Sequence, residues 1–228
     1  MTTVAIIGAG PLGRWLALSA ARAGFHVLLE DVMPANLHHA QEYLRRQLDL
    51  ELRSSRSPHE SGGQEADPVR QPQGSLSAPF GAKSPPCSAQ DGSPADAQGD
   101  SIVNVDFVST IEDAVRDADL AIDCVPDELE SKLEILWLLD RMAPPRTVFA
   151  TPTTRLSIAD LAACTYRPEK CIAIAAEAST LAASPGSQVV LSTTAATSPE
   201  TLALVERFWR RLGFAPVFIS DPVGLPPQ

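Results

Sequence analysis

The chain has 228 residues, a formal net charge of −10 and 44% hydrophobic residues, enough for one large domain or two small ones with a buried core. The charge argues against a nucleic-acid-binding protein, because such proteins neutralise phosphates with lysine and arginine. No run of about 18 apolar residues exists, so no membrane span is predicted. We expect a cytoplasmic protein with reduced thiols, since there is no basic leader and no disulfide or metal spacing among Cys87, Cys124, Cys164 and Cys171.

Proline is abundant, with 20 residues, and 7 of them lie between residues 57 and 101 together with 6 glycines and 8 serines. The large apolar residues of this segment are Val69, Leu76 and Phe80. Such a segment has too little apolar surface to offset the entropy of ordering. We therefore predict a disordered insert at 57–101 within one domain formed by residues 1–56 and 102–228. The alternative is a short interaction motif around Phe80.

Strand and helix patterns alternate along the rest of the chain. Before the insert they predict a strand at VAIIG, a helix over PLGRWLALSAARAG, a strand at HVLLED and an amphipathic helix over 34–56. After it they predict strands at VDFVS, DLAIDCV, RTVFAT, KCIAIAAE, QVVLSTT and PVFIS, with helices at IEDAVRDA, ELESKLEILWLLDRMA, SIADLAACT and SPETLALVERFWRRLG. Ser198 is expected to cap the last helix and Gly213 to end it. This alternation predicts an α/β fold with a doubly wound, mostly parallel sheet.

A glycine-rich turn follows the first predicted strand, with Gly8, Gly10 and Gly13 in the sequence GAGPLG. Gly8 permits a tight turn, Gly10 lets the backbone approach a pyrophosphate, and Gly13 allows close packing of helix and strand. Pro11 and Leu12 open the helix, whose free N–H groups and positive dipole end would face the phosphates. The turn lies within a βαβ unit of the Rossmann type, which is the context that a dinucleotide-binding fingerprint requires. The alternative is a turn kept for packing alone.

An acidic residue closes the second strand, where a carboxylate would accept hydrogen bonds from the adenine-side ribose. Asp31 is the first candidate and Glu30 the competing one, because strand alternation is expected to let only one of them face the site. The carboxylate would repel a 2′-phosphate, and the next residues, Val32 and Met33, offer no arginine to bind one. The sequence therefore favours NAD over NADP.

From residue 4 to about residue 224, several colinear motifs resemble the NAD-binding domain of the 3-hydroxyacyl-CoA dehydrogenases of fatty acid β-oxidation. The N-terminal VAIIGAGPLG and HVLLED resemble that family's opening, and DLAIDCVPDELESK resembles its strand and helix with a Val-Glu-Asn-Leu-x-x-Lys core. TVFATPTTRLS is similar to its Phe-Ala-Ser-Asn-Thr-Ser-Ser-Leu turn, and LGFAPVFISDPVG to its Gly-Lys-x-Pro-Val-x-x-x-Asp-x-Pro-Gly segment. The resemblance implies a Rossmann-type fold and NAD as the cofactor.

The resemblance also implies roles for individual residues on the cofactor side. The family's ribose aspartate corresponds to Asp31, and its glutamate near the nicotinamide-side ribose corresponds to Asp127. Its lysine five residues later corresponds to Lys132, and its turn serine to Thr154, which keeps a hydroxyl. The alternative for Asp127 and Lys132 is an exposed pair at the start of a helix.

The catalytic side departs from the family pattern. Oxidation of a 3-hydroxyl group needs a general base, and the family uses the histidine of Gly-Leu-His-Phe-Phe-Asn-Pro, oriented by a glutamate on the next strand. Here Ala175 stands at the histidine position and Ala178 at the asparagine position, and SQVVLSTT has no acid. Glu177 is the nearby acid that would have to replace the base, with Thr154 as the other catalytic candidate. The four histidines are all N-terminal and are interpreted as surface or edge residues: His26, His38, His39 and His59.

From the resemblance we expect two further parts of the family pattern to be missing. The chain stops at GLPPQ, where the family's helical C-terminal domain would begin, and the insert replaces half of the arm that contacts acyl-CoA. Four arginines remain in that arm: Arg45, Arg46, Arg53 and Arg56. Apolar surface near Trp209 and Phe218 would favour self-association.

Three functional hypotheses follow. The first is an NAD(H)-binding protein with weakened or lost hydroxyacyl-CoA oxidation and a binding or regulatory role. The second is an active oxidoreductase with an altered base, Glu177, and a different or smaller substrate, or with a cleft that a partner protein completes. In either case an acyl-CoA-like small molecule is a candidate ligand beside NAD(H). The third is a scaffold for protein contacts that binds no nucleotide.

Overall fold

A computed structural model describes residues 2–55, 104–175 and 187–221 of the chain. The predicted insert at 57–101 lies outside these residues, so its disorder and the division of the chain around it stay predictions. Within the described residues, no helix is both long enough and apolar enough to cross a membrane.

The described residues form an eight-stranded sheet with the order β3-β2-β1-β4-β5-β6-β7-β8. The strands are β1 (Thr3–Ile7), β2 (His26–Glu30), β3 (Val105–Val108), β4 (Leu120–Asp123), β5 (Val148–Pro152), β6 (Cys171–Ile174), β7 (Gln188–Thr193) and β8 (Ala215–Ser220). The helices are α1 (Pro11–Arg22), α2 (Pro34–Ser55), α3 (Ile111–Val115), α4 (Leu129–Met142), α5 (Ile158–Ala163) and α6 (Pro199–Arg211), with a short 3₁₀ helix at Pro168–Lys170. This arrangement confirms the predicted doubly wound α/β fold of the Rossmann type.

Strand direction changes once in the sheet. The strands from β3 to β6 pair in parallel, as expected for strands joined by helical crossovers. β7 runs antiparallel to β6, with Ile174 opposite Leu191, and β8 is parallel to β7. The parallel strands β1, β2, β4, β5 and β6 therefore end at one common edge of the sheet, where ligands bind in such folds.

Each face of the sheet buries its own apolar cluster. One cluster joins alternate residues of β1 and β2, such as Ile6 and Leu29, to α1, α2 and α6. The other joins Ala5 and Ile7 of β1 to α3, α4 and α5. Because successive strand residues point to opposite faces, the continuous apolar runs of the central strands fill both layers at once.

The residues at the two ends of α6 behave as predicted, but the apolar surface expected near Trp209 is not exposed. The Ser198 hydroxyl accepts a hydrogen bond from the backbone N–H of Thr201 at 3.2 Å, and Gly213 has a φ of +88° just after α6. Trp209, however, is fully buried and packs edge-on against Phe208 and Phe214. The expectation of uncovered apolar surface was therefore wrong at Trp209, because the apolar face of α6 packs into the first cluster, whereas Phe218 on β8 is half-buried and self-association stays a prediction.

Candidate functional site

The glycine turn between β1 and α1 is held by close backbone contacts. Gly8 has a φ of +104°, which L side chains rarely adopt, and its N–H donates to the carbonyl of Glu30 at 2.8 Å. A Cβ added at Gly13 would lie 1.8 Å from the Gly8 carbonyl oxygen. Gly8 and Gly13 are thus required by the fold of the turn itself.

Gly10 differs from its two neighbours, because a Cβ added there would meet no protein atom within 4 Å. Gly10 precedes α1 as its N-cap and supplies no side-chain cap, and Pro11 is the first helical residue. The N–H groups of Leu12 and Gly13 therefore have no intrahelical acceptor, since the first helical hydrogen bond is donated by Arg14 to the Gly10 carbonyl. A helix end of this kind favours an anion through its free donors and its dipole.

Asp31 lies just past the end of β2 and is only 8% exposed. Its Oδ2 accepts from the backbone N–H of Ala9 at 2.8 Å, and its Oδ1 from that of Met33 at 2.8 Å. The side-chain amide of Asn36 on α2 lies 3.1 Å from both oxygens. Because a carboxylate offers about four acceptor sites, these contacts fix the Asp31 carboxylate in orientation beside the glycine turn.

A cavity of about 490 Å³ opens beside this turn. Gly8, Gly10, Glu30 and Asp31 form its polar side. Its apolar wall combines side chains from the ends of β2 and β4 with residues of α3 and α4: Val32, Met33, Ile111, Val125, Pro126 and Ile135. A polar rim beside an apolar wall matches the needs of an adenosine, whose ribose is polar and whose base has apolar faces.

Glu30 and Asp31 both line this cavity, so the expectation that only one of them faces the site was wrong. Glu30 is the last residue of β2 and lies in register with Ile7, which packs on the sheet face covered by α3 and α4, whereas Asp31 has already left the strand. Because Asp31 is not part of the strand, the alternation of side chains along β2 does not place it and Glu30 on opposite sides of the cavity. Burial raises the pKa of Glu30 to about 7, and the neighbouring charge of Asp31 adds to the shift.

Asp127 and Thr154 come together at the same edge, where the loop after β4 meets the turn after β5. The backbone N–H of Thr154 donates to Asp127 Oδ2 at 3.2 Å, and Arg155 Nη2 donates to the carbonyl of Asp127 at 2.5 Å. The other oxygen, Asp127 Oδ1, is buried without a hydrogen-bond partner among the described residues. These residues join two loops of the site, and their contact with a cofactor stays a prediction.

Lys132 is placed differently from Asp127, because it is completely buried in the first turn of α4. Its Nζ lies 2.5 Å from Oδ1 of Asp123, the last residue of β4, which is buried as well. Burial raises the pKa of Asp123, and the Lys132 ammonium opposes that shift. The alternative of an exposed Asp127–Lys132 pair is excluded by the burial of Lys132, and a direct contact of Lys132 with the cofactor stays a prediction.

The end of β6 holds no histidine. The backbone N–H of Ala175 donates to the carbonyl of Val190 at 2.9 Å, so this position is fixed by the sheet. Glu177 and Ala178 lie outside the described residues. His26 sits at the opposite, amino-terminal end of β2, where its Nε2 is 2.8 Å from Asp106, and His38 pairs with Glu42 on α2.

Sequence reasoning missed several residues of the site. Asn36 lies on the helix after Asp31, and an amide at that spacing gives no distinct signal. Ile111 reaches the cavity from α3, on the far side of the insert. Cys124 also lines the cavity, and burial raises the pKa of its thiol, which therefore stays neutral. Asp123 ends β4 and Lys132 lies nine residues later in α4. Periodicity within each element does not predict that their side chains meet.

A glycine turn, an open helix N-terminus and a fixed acidic residue after β2 define a dinucleotide-binding domain of the Rossmann type. The model of one protein family, described as the NAD-binding domain of 3-hydroxyacyl-CoA dehydrogenase, matches residues 3–72 and 87–222. The chain belongs to this family, and NAD is its cofactor. The open space at Gly10 and the acidic, apolar-walled cavity fit that cofactor.

Known proteins support this assignment. The chain is 25% identical over 98% of its length to a probable 3-hydroxybutyryl-CoA dehydrogenase of Bacillus subtilis, and it spans 66% of that relative. It is 30% identical over 55% of its length to the fatty acid oxidation complex subunit alpha of Shewanella frigidimarina, of which it spans 17%. In fold, it resembles the crystal structure of (S)-3-hydroxybutyryl-CoA dehydrogenase from Ralstonia eutropha. The TM-score is 0.70 at 19% identity, over 97% of this chain and 64% of that one.

Proposed function

We propose that this domain binds NAD(H) through the turn before α1 and through Asp31, and that it does not oxidise 3-hydroxyacyl-CoA with a histidine base of its own. It then acts as a binding or regulatory protein. The observation that carries this proposal is the contrast between the cavity beside Gly10 and the alanine at position 175. The names of the relatives support an acyl-CoA as the second ligand.

The roles of the residues follow from their positions. The N–H groups at the start of α1 bind the pyrophosphate, and the Asp31 carboxylate accepts from the ribose hydroxyls. A ribose hydroxyl competes with the Asn36 amide for Asp31, because the carboxylate has no spare acceptor site. The chemistry that NAD supplies when bound is the acceptance of a hydride. Removal of the hydroxyl proton needs a base, and Ala175 cannot provide one.

A fluorescence titration with NADH tests the nucleotide part of the proposal. We expect saturable binding by the unmodified protein and its loss in Gly10→Asp, whose carboxylate would occupy the pyrophosphate space and repel it. Gly213→Asn is the matched control, because asparagine tolerates a positive φ and this glycine follows α6. Absence of binding by the unmodified protein at millimolar NADH would overturn the proposal and favour a scaffold that contacts only proteins.

Reduction of acetoacetyl-CoA by NADH tests the catalytic part. The unmodified protein is expected to show no turnover above the background rate. A gain of turnover in Ala175→His would locate the missing base. Clear turnover by the unmodified protein would contradict lost activity and support the second candidate, an oxidoreductase that uses Glu177 or a partner-completed cleft.

A further inference from the structure

Glu30 is a buried carboxyl group that the proposed function does not use. The residue is 4% exposed, its carboxyl oxygens keep some contact with solvent, and no hydrogen bond or ion pair joins them to a described residue. A mostly buried carboxyl group that only water can satisfy is costly to ionise, so its place in the fold needs an explanation. Its place at the end of β2, on the wall of the nucleotide cavity, points to a ligand as the partner.

The position of Glu30 within the cavity selects the part of the ligand that it meets. The pyrophosphate lies at the start of α1 and the adenine-side ribose at Asp31, so the base extends past Asp31. The next surface in that direction is the apolar wall formed by Ile111, Val125 and Ile135. Glu30 lies on the same face of the sheet as this wall and is therefore at the edge of the adenine subsite.

Among the described residues that line the cavity with Glu30, none carries a positive charge. β1 contributes Ile7 and Gly8 to the cavity, and α3 and α4 contribute Ile111 and Ile135. The titratable groups that share the cavity with Glu30 are Asp31 and the neutral thiol of Cys124. An ionised Glu30 would thus stand beside the Asp31 carboxylate, in a site that also receives an anionic dinucleotide.

We propose that Glu30 determines the affinity for the adenine end of NAD(H) by binding it as a neutral carboxyl group, so that an ionised Glu30 takes up one proton from solvent when the cofactor binds. A neutral carboxyl both donates and accepts, which matches the ring nitrogen and the amino group on the outer edge of adenine. The adenine base also removes the remaining water from Glu30, and this desolvation favours the neutral form further. The inference rests on the proposed binding of NAD(H) at this cavity.

A pH dependence of affinity follows from this proton uptake. The pKa of Glu30 in the free protein is raised to about 7 by burial and by Asp31, so the group is mostly neutral at pH 6 and mostly ionised at pH 8. Cofactor binding then requires protonation above pH 7. The dissociation constant for NADH is expected to rise by up to about tenfold per pH unit above that point, and to be nearly constant below it.

The experiment is a titration of the full chain with NADH at pH 6, 7 and 8, with Glu30→Gln as the test variant. Glutamine keeps the shape and stays neutral, so its affinity is expected to be independent of pH and close to that of the unmodified protein at pH 6. Glu206→Gln on α6 is the matched control, since Glu206 pairs with Arg210 on the helix surface, and it should keep the full pH dependence. Calorimetry at pH 7 in two buffers of different ionisation enthalpy should show about half a proton taken up per NADH, and none in Glu30→Gln.

The outcomes separate this inference from the proposed function. If both proteins bind NADH with the same pH dependence, or if Glu30→Gln loses binding at pH 6, the role of Glu30 as a neutral group is overturned and NAD(H) binding stands. If neither protein binds NADH at any pH, the proposed function falls and this inference falls with it. A folded Glu30→Gln protein, verified by its unfolding transition, is required for each reading.

Discussion

Two stretches of the same sheet edge differ in what their polar groups do. At the ends of β1 and β2, the N–H groups of Leu12 and Gly13 at the start of α1 have no intrahelical acceptor, and the Glu30 carboxyl on the cavity wall has no partner among the described residues. At the ends of β4 and β5, Asp127, Thr154 and Arg155 bond to one another. The difference teaches that the first stretch presents its free polar groups to an open cavity, whereas the second uses most of its polar groups in contacts between its own loops, with Asp127 Oδ1 buried and unpartnered among the described residues.

The buried pair between these stretches gives the largest expected effect. In Lys132→Met the Asp123 carboxylate is left buried and unpaired, and the free energy of unfolding should fall by about 3–5 kcal/mol. Urea unfolding monitored by circular dichroism measures this change. The double variant Asp123→Leu/Lys132→Met should recover most of the loss. If Lys132→Met is as stable as the unmodified protein but no longer binds NADH, Lys132 belongs to the cofactor site instead.

The glycine turn supplies the next prediction, because Gly13 is expected to matter for stability and Gly10 for NADH binding. In Gly13→Ala the new Cβ would lie 1.8 Å from the Gly8 carbonyl oxygen, so the turn must shift and unfolding should become easier by about 3 kcal/mol. Gly10→Ala meets no atom and should change stability by less than about 1 kcal/mol while weakening NADH binding. Thermal unfolding and NADH titration of both variants provide the comparison. Equal losses of stability would show that Gly10 is also structural.

The ionisation of Glu30 in the cavity wall should make the stability of the fold depend on pH. Glu30 has a pKa of 4.5 when unperturbed and about 7 in the fold, so folding favours its protonated form. Ionisation of Glu30 therefore lowers the free energy of unfolding. This loss is absent below pH 4.5, grows as the pH rises to 7, and is complete above pH 7. Glu30→Gln should therefore match the unmodified protein at pH 4 and exceed it by about 1–2 kcal/mol at pH 8, after allowance for solvent screening. Urea midpoints at both pH values test this, and an equal gain at both would contradict it.

The smallest effect is expected at α6, far from either stretch of the edge. Ser198→Ala removes the hydroxyl that accepts from the Thr201 N–H and should lower the free energy of unfolding by about 1 kcal/mol. NADH affinity should stay unchanged in this variant. A change in NADH affinity would show that α6 is coupled to the nucleotide cavity.

The sequence predicted the features that depend on neighbours along the chain. The glycine turn, the strands and the Ser198 cap are each set within about ten residues, and all lie where expected. Asp31 was located as the acid closing the second strand. Features that depend on how separate elements pack were not predictable: Ile111 enters the cavity from beyond residues 57–101, and Lys132 is buried against Asp123 although only nine residues separate them. The prediction for Trp209 was wrong for the same reason, since Trp209 is buried by residues outside its own helix.

The reversal of β7 has a consequence for inhibition by small anions. Because β7 runs opposite to β6, α6 begins beside Glu169, at the amino-terminal end of β6, where the Ser198 N–H donates to the Glu169 carbonyl at 3.0 Å. α1 begins at the other edge with its donors uncapped. Inorganic pyrophosphate should therefore compete with the dinucleotide at the start of α1. At α6 the Ser198 hydroxyl already accepts from one of the first N–H groups, so binding there should be weaker. Millimolar pyrophosphate is then a simple chemical probe for which helix end holds the cofactor.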